Sequence, residues 1–219
     1  CRPTRECSTS LEPEGALGFL MNLPNKLTSA RFGLTALFVW ALFMPFFRFH
    51  YTLALALFNI ASFTDFLDGR IARSRGLITN FGILMDSLAD KILTCSAFIA
   101  FIQSTHAMPN PPVTVAAWMV IIIVAREFAI TGLRLLAAAK SIVLAAENFG
   151  KHKTVSQIAA INLLLLLEAS HEWPMASEQF IHKWLPPLAE LMLWLAVILT
   201  ATSGVLYLWR NRALYLNDM

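Results

Sequence analysis

Cysteine and charge are both scarce in this sequence. Its three cysteines, Cys1, Cys7 and Cys95, stand without metal-ligand spacing; this argues against a thiolate metal site, and no disulfide framework is expected. Charged residues make up 14% of the 219 residues and hydrophobic ones 57%, with a mean hydropathy of +0.61. A soluble domain carries about 25% charged residues. Also missing is the apolar-polar alternation of a barrel strand, so the long apolar runs read as spanning helices of about 20 residues each. Neither an internal repeat nor a low-complexity tract is present, and no nucleic-acid partner is expected. The fold class expected is an all-α integral membrane protein with six transmembrane helices.

Residues 1–20 are polar and carry proline, and the text changes at Met21. They lack a positively charged region followed by an apolar core and a small-residue cleavage site, so no secretory signal is expected there. We treat 1–20 as an extension of unknown role and 21–219 as one membrane domain. Breakers and hydropathy divide that domain into helices over Leu27–Phe47, Tyr51–Arg73, Asn80–Gln103, Val113–Lys140, His152–Glu168 and Pro187–Arg210. The fourth is the long one, extending about 42 Å, so part of it should project beyond the hydrocarbon.

Lysine and arginine orient the bundle. Arg48 and Lys183 alone fall on the side of the 1–2, 3–4 and 5–6 connections, and the other fifteen basic residues lie at the opposite side. Positive charge marks the cytoplasmic face. Both termini and the segment 65–91 therefore belong to the cytoplasmic side. His50, His106, His171 and His182 fall in loops at the far side and make no metal site of helical spacing. Trp173, Trp184 and Trp209 suit the interfacial belt, and Trp40, Trp118 and Trp194 suit helix packing or lipid contact. Cys95 reads as a small core residue.

Against this apolar background the stretch "DFLDGRIARSRGLITNFGILMDSLADK", residues 65–91, concentrates four aspartates. Asp65 and Asp68 stand at i and i+3, on one face of a helix, and Gly82, Asp86 and Asp90 follow at four-residue steps on the next. Antiparallel neighbours joined by the short 74–79 turn would bring the two stripes together. Four carboxylates converging in low dielectric repel and take up protons unless a cation neutralises them. Mg²⁺ and Mn²⁺ prefer such oxygen ligands and keep positions for water or phosphate. Gly69, Ala72 and Gly82 permit close helix packing, or alternatively clear space for a flat ligand beside the metals. The bland reading of the aspartates is ion pairing with Arg70, Arg73, Arg75 and Lys91, but four in register within a membrane point to function.

The pattern Asp65-x-x-Asp68-Gly69-x-x-Ala72-Arg73, eight residues, then Gly82-x-x-x-Asp86-x-x-x-Asp90 resembles the complete motif of the CDP-alcohol phosphatidyltransferases. "MNLPNKLTSAR" at 21–31, "TDFLDGRIAR" at 64–73, "REFAITGLR" at 126–134 and "GKHKTVSQ" at 150–157 further resemble members that use glycerol 3-phosphate as acceptor. The likeness covers essentially residues 21–210. Ser87 departs from it, standing where the family's text has proline, at a position that is not a ligand. The resemblance implies a homodimer of six-helix chains, with the six transmembrane helices around a polar cavity facing the cytoplasm, that takes CDP-diacylglycerol as lipid donor and uses two divalent cations, Mg²⁺ or Mn²⁺. It implies Asp65, Asp68 and Asp86 as metal ligands, and Asp90 as general base with a second role on one metal. Gly69, Ala72, Arg73, Thr79 and Gly82 match the region that receives the cytidine diphosphate group, with Thr28 and Arg31 as a further nucleotide-side contact.

A phosphorylated acceptor needs cations. Arg126 and Arg134 are eight apart, near one helical face, and Lys151 and Lys153 flank the start of the fifth helix; these four are the expected glycerol 3-phosphate site. Arg126 lies inside the apolar run "VIIIVAREFAI", where a positive charge requires a partner or ligand. Arg210, Arg212 and Lys140 read as orientation signals. Glu127 has two readings, a structural ion pair or a place in the site; adjacent helix positions do not face each other, so its partner is expected elsewhere. His152 is either a phosphate contact or a solvated interface residue. Two alternatives stay open: another acceptor, such as inositol phosphate, or a divalent-cation transporter whose acidic residues line an ion path. A transporter leaves Gly69, Ala72, Arg73 and the basic cluster without a role.

Overall fold

The computed structural model describes residues 23–43, 47–75, 80–107, 111–140, 149–173 and 178–212. Side chains are described over 30–43, 47–64, 88–105, 111–138, 140, 152–173 and 183–212. The described residues form six helices and no strand: α1 Leu23–Phe43, α2 His50–Arg75, α3 Asn80–Ala107, α4 Ala117–Ala139, α5 Phe149–Ser170 and α6 Glu178–Arg210.

All six expected helices are present, with shifted ends. Pro24 falls in the first turn of α1, where its missing N–H is no loss, and the helix ends two residues before Pro45. The expected long fourth helix is shorter, 23 residues, because Val113 to Ala116 stay outside it, with Ala116 extended at φ −76° and ψ 141°. The longest is α6, whose 33 residues carry Pro186 and Pro187 inside rather than beginning at them. Each proline removes one backbone donor, and the eight or more helical residues before them show that flanking packing outweighs that loss.

Alternating helix directions place the starts of α1, α3 and α5 at the end where α2, α4 and α6 finish. Among the described residues α1 packs on both α2 and α3, while α2 and α3 touch only sparsely. Both α4 and α5 pack on α3 and on α6. The core holds Phe38, Phe58, Phe98, Phe101, Ile161 and Leu193, with the Phe38 and Phe58 rings 5.6 Å apart between centroids. Fully buried alanines, among them Ala54, Ala61, Ala97, Ala160, Ala189 and Ala196, let the helix backbones approach closely. Cys95 is buried, as expected of a core residue.

At the end far from Asp90, Glu172 reaches from the turn after α5 to the start of α2. Its carboxylate accepts from the Tyr51 and Thr52 backbone N–H groups at 2.7 and 2.9 Å and from Thr52 Oγ1 at 2.7 Å. First-turn N–H groups have no partner inside their own helix, so a carboxylate there satisfies them and complements the dipole. Trp173 Nε1 donates to Thr52 Oγ1 at 2.9 Å, and His50 Nδ1 stands 3.3 Å from Glu172. His50 thus opens a helix rather than lying in a loop, and His106 and His182 likewise fall within α3 and α6. One turn earlier on α5, Glu168 accepts from Ser104 of α3 at 2.7 Å.

Candidate active site

Asp90 lies on α3, half-buried, and the charges of Lys91, Glu127, Lys153 and Arg31 all act on it. Four helices therefore bring charged groups to one place: Arg31 from α1, Asp90 from α3, Glu127 from α4 and Lys153 from α5. Arg31 is 1% exposed and Lys153 5% exposed. Cations so buried require anions nearby, protein or ligand.

For Lys153 the anion in contact is Glu127. Lys153 Nζ donates to Glu127 Oε1, and Arg126 Nη1 donates to the same oxygen at 3.3 Å. The expected distant partner of Glu127 is thus Lys153, one of the predicted acceptor cations. Its chain neighbour Arg126 joins as well, because a long guanidinium stem reaches around the helix where a short side chain would not. Arg126 Nη2 also reaches Ser203 Oγ of α6, at 3.3 Å, while its buried Nε has no hydrogen-bond partner among the described residues. Below this cluster Gln157 Nε2 donates to Thr200 Oγ1 at 3.0 Å, tying α5 to α6.

Arg134 stands apart from that cluster. Its side chain is exposed, with Cζ 5.8 Å from the Tyr207 ring centroid, although its charge still acts on Arg126. His152 is exposed, in line with an interface residue.

Thr28 falls on α1, Asp65, Asp68, Gly69, Ala72 and Arg73 on α2, Gly82 and Asp86 on α3, and Lys151 on α5, but their side chains lie outside the described ones, and Thr79 lies outside the described residues. The helical register of both aspartate pairs is present: Asp65 and Asp68 in α2, Asp86 and Asp90 in α3. Among the described residues no three His, Cys, Asp or Glu side chains gather around a common point. The donor set itself, four carboxylates, fits hard divalent cations and does not fit a soft metal.

A family model described as CDP-alcohol phosphatidyltransferase matches residues 21–202. The chain belongs to the CDP-alcohol phosphatidyltransferase family. It is similar to the CDP-diacylglycerol–glycerol-3-phosphate 3-phosphatidyltransferase of Bacillus subtilis, 40% identical over 203 residues that cover 88% of this chain and 96% of the relative. The protein of that name from Rickettsia bellii is 32% identical, covering 85% and 93%. A probable phosphatidylglycerophosphate synthase of Mycobacterium tuberculosis is 31% identical, covering 87% and 82%.

Sequence reasoning missed Ser203, Gly204, Gln157 and Thr200. Their signal is in "LTATSGVLY" of α6, where Thr200, Ser203, Gly204 and Tyr207 recur at i, i+3, i+4 and i+7 within an apolar helix. All four are buried, so this stripe faces protein.

Proposed function

We propose that this phosphatidyltransferase moves the phosphatidyl group of CDP-diacylglycerol to the 1-hydroxyl of sn-glycerol 3-phosphate, releasing phosphatidylglycerol phosphate and CMP. The observation that carries the acceptor is the pair of cations, half-buried Arg126 and buried Lys153, on Glu127, within electrostatic reach of Asp90. An acceptor with its own phosphate is what two such cations near a general base suit. The relatives' names point the same way.

Asp90 takes the proton of the acceptor hydroxyl, and the freed oxygen bonds to the β-phosphorus of the donor as the bond to CMP breaks. Arg126 and Lys153 hold the acceptor's phosphate and so orient its hydroxyl. Arg31 and Arg73 serve the donor's phosphates, with Gly69, Ala72 and Gly82 leaving room for the nucleotide. Asp65, Asp68 and Asp86 would hold two divalent cations, Mg²⁺ or Mn²⁺, whose chemistry when bound is to neutralise the pyrophosphate and ease the departure of CMP.

The same reading places residues 21–219 as one domain of a homodimer in the bacterial cytoplasmic membrane, its site open to the cytoplasm. One helix segment among the described residues, Lys183–Arg210, is long and apolar enough by itself to span, with mean hydropathy 2.0. Large apolar side chains also face outward on other helices, including Trp40 on α1, Phe63 on α2, Ile99 on α3 and Ile121 on α4. An exterior this apolar suits lipid better than water. Purified protein in lipid, given CDP-diacylglycerol, Mg²⁺ and glycerol 3-phosphate, should release CMP only when all three are present; CMP release independent of the acceptor, or none, contradicts the proposal.

A further inference from the structure

We propose that Gly204 and Ser203 of α6 form the seat that aims Arg126 at the acceptor's phosphate, which makes α6 a determinant of acceptor affinity. This rests on the functional reading above and deepens it.

The stem of Arg126 lies directly against the Gly204 backbone. A Cβ added at Gly204 would stand 2.7 Å from Arg126 Cγ, 3.6 Å from its Cβ and 3.9 Å from its Cδ. Carbon atoms do not approach to 2.7 Å without something moving, and the atom met is near the root of the side chain, not its flexible tip. Gly33 and Gly132, by contrast, have open space where a Cβ would stand. Among the described glycines, Gly204 is thus the one whose missing side chain is filled by another residue, and that residue is a predicted ligand of the substrate.

One position earlier, Ser203 Oγ accepts from Arg126 Nη2 at 3.3 Å, which fixes the far end of the guanidinium. The near end is fixed by Gly204, and Glu127 Oε1 holds Nη1. Three restraints from two helices therefore define where the guanidinium points, leaving Nε as its buried donor without a partner among the described residues. Since α4 and α5 both pack on α6, the same helix backs the Arg126–Glu127–Lys153 cluster from one side. Gln157 and Thr200, bonded one turn away, keep α5 in register with it. Gly204 and Ser203 are positioning residues: they act on the acceptor through Arg126.

The test is steady-state kinetics of Gly204→Ala and Ser203→Ala in lipid, with both substrates varied. Losing the aim of one charged donor should raise the KM for glycerol 3-phosphate about tenfold in Gly204→Ala and about threefold in Ser203→Ala, with the KM for CDP-diacylglycerol unmoved. Placed in an Arg126→Ala background, where the Cγ it would strike is gone, Gly204→Ala should add less than about a twofold change, because the two sites act as one unit. An equal effect in both backgrounds, equal shifts in both KM values, or an unchanged acceptor KM overturns the proposal. Should Gly204→Ala fail to fold, Ser203→Ala introduces no clash and decides through its acceptor KM alone. Wild-type enzyme run alongside separates the claims: no CMP release with glycerol 3-phosphate sinks the functional reading and this inference with it, whereas normal wild-type turnover with an unmoved variant KM sinks this inference only.

Discussion

Glu127 of α4 and Lys153 of α5 form a buried ion pair although their helices are held together chiefly through α3 and α6. Arg126 shares the same carboxylate oxygen, so in this contact one carboxylate faces two cations.

Removing the anion should therefore be costly. Glu127→Ala leaves Lys153 and Arg126 uncompensated, and we expect a loss of about 3 kcal/mol in stability. The double variant Glu127→Gln with Lys153→Gln should recover part of it, because the buried charge goes with its partner. Thermal melting in detergent compares the two; a double variant no more stable than Glu127→Ala would contradict the pairing.

A second expectation concerns the opposite end of the bundle. Glu172→Ala frees the Tyr51 and Thr52 amides that the carboxylate now accepts from, and it should destabilise the fold by about 2 kcal/mol. Turnover per folded molecule should stay near wild type, since the site lies at the other end. Hydrogen exchange at Tyr51 and Thr52 reads this directly: exchange no faster in the variant would show that the cap carries no stability.

Much of this was legible in the sequence, and the exceptions have physical causes. Helix number and order follow from hydropathy and proline breakers; Arg126 stood out as a charge in apolar text, Asp90 by its four-residue step from Asp86, and Lys153 as a cation flanking the start of the fifth helix. Helix ends moved where a proline was read as a boundary: α6 passes through Pro186 and Pro187 because packing can outweigh one missing donor each. Gly204 and Ser203 went unnoticed because small residues in an apolar helix read as ordinary packing until their neighbour is known. Glu172 was hidden for a similar reason: its bonds reach residues about 120 positions earlier in the chain, and no local pattern encodes them. Arg134 stays within electrostatic reach of Arg126, and its contact with the Tyr207 ring of α6 is again one that no local pattern encodes.

The base role assigned to Asp90 gives a third prediction. Asp90→Asn keeps the size of the side chain and removes the proton acceptor, so kcat should fall by at least about a hundredfold. Binding of a CDP-containing donor should largely survive, measured by calorimetry or by protection against heat. Retained turnover would remove the base role.

Four aspartates chosen for hard cations make a fourth. Chelation with EDTA should abolish CMP release, and Mg²⁺ or Mn²⁺ should restore it. Asp65→Ala should stay inactive at any cation concentration that restores wild type. Full activity in the chelated enzyme would contradict the assignment of Asp65, Asp68 and Asp86 as ligands.

The central claim is the acceptor, and a competition panel tests it most directly. Purified enzyme in lipid is given CDP-diacylglycerol and Mg²⁺ with glycerol 3-phosphate, inositol phosphate, serine or choline, each in turn, and both CMP and the lipid product are measured. Our account predicts phosphatidylglycerol phosphate as the product, with glycerol 3-phosphate preferred over every other alcohol. Preference for inositol phosphate or for an alcohol without a phosphate would contradict it.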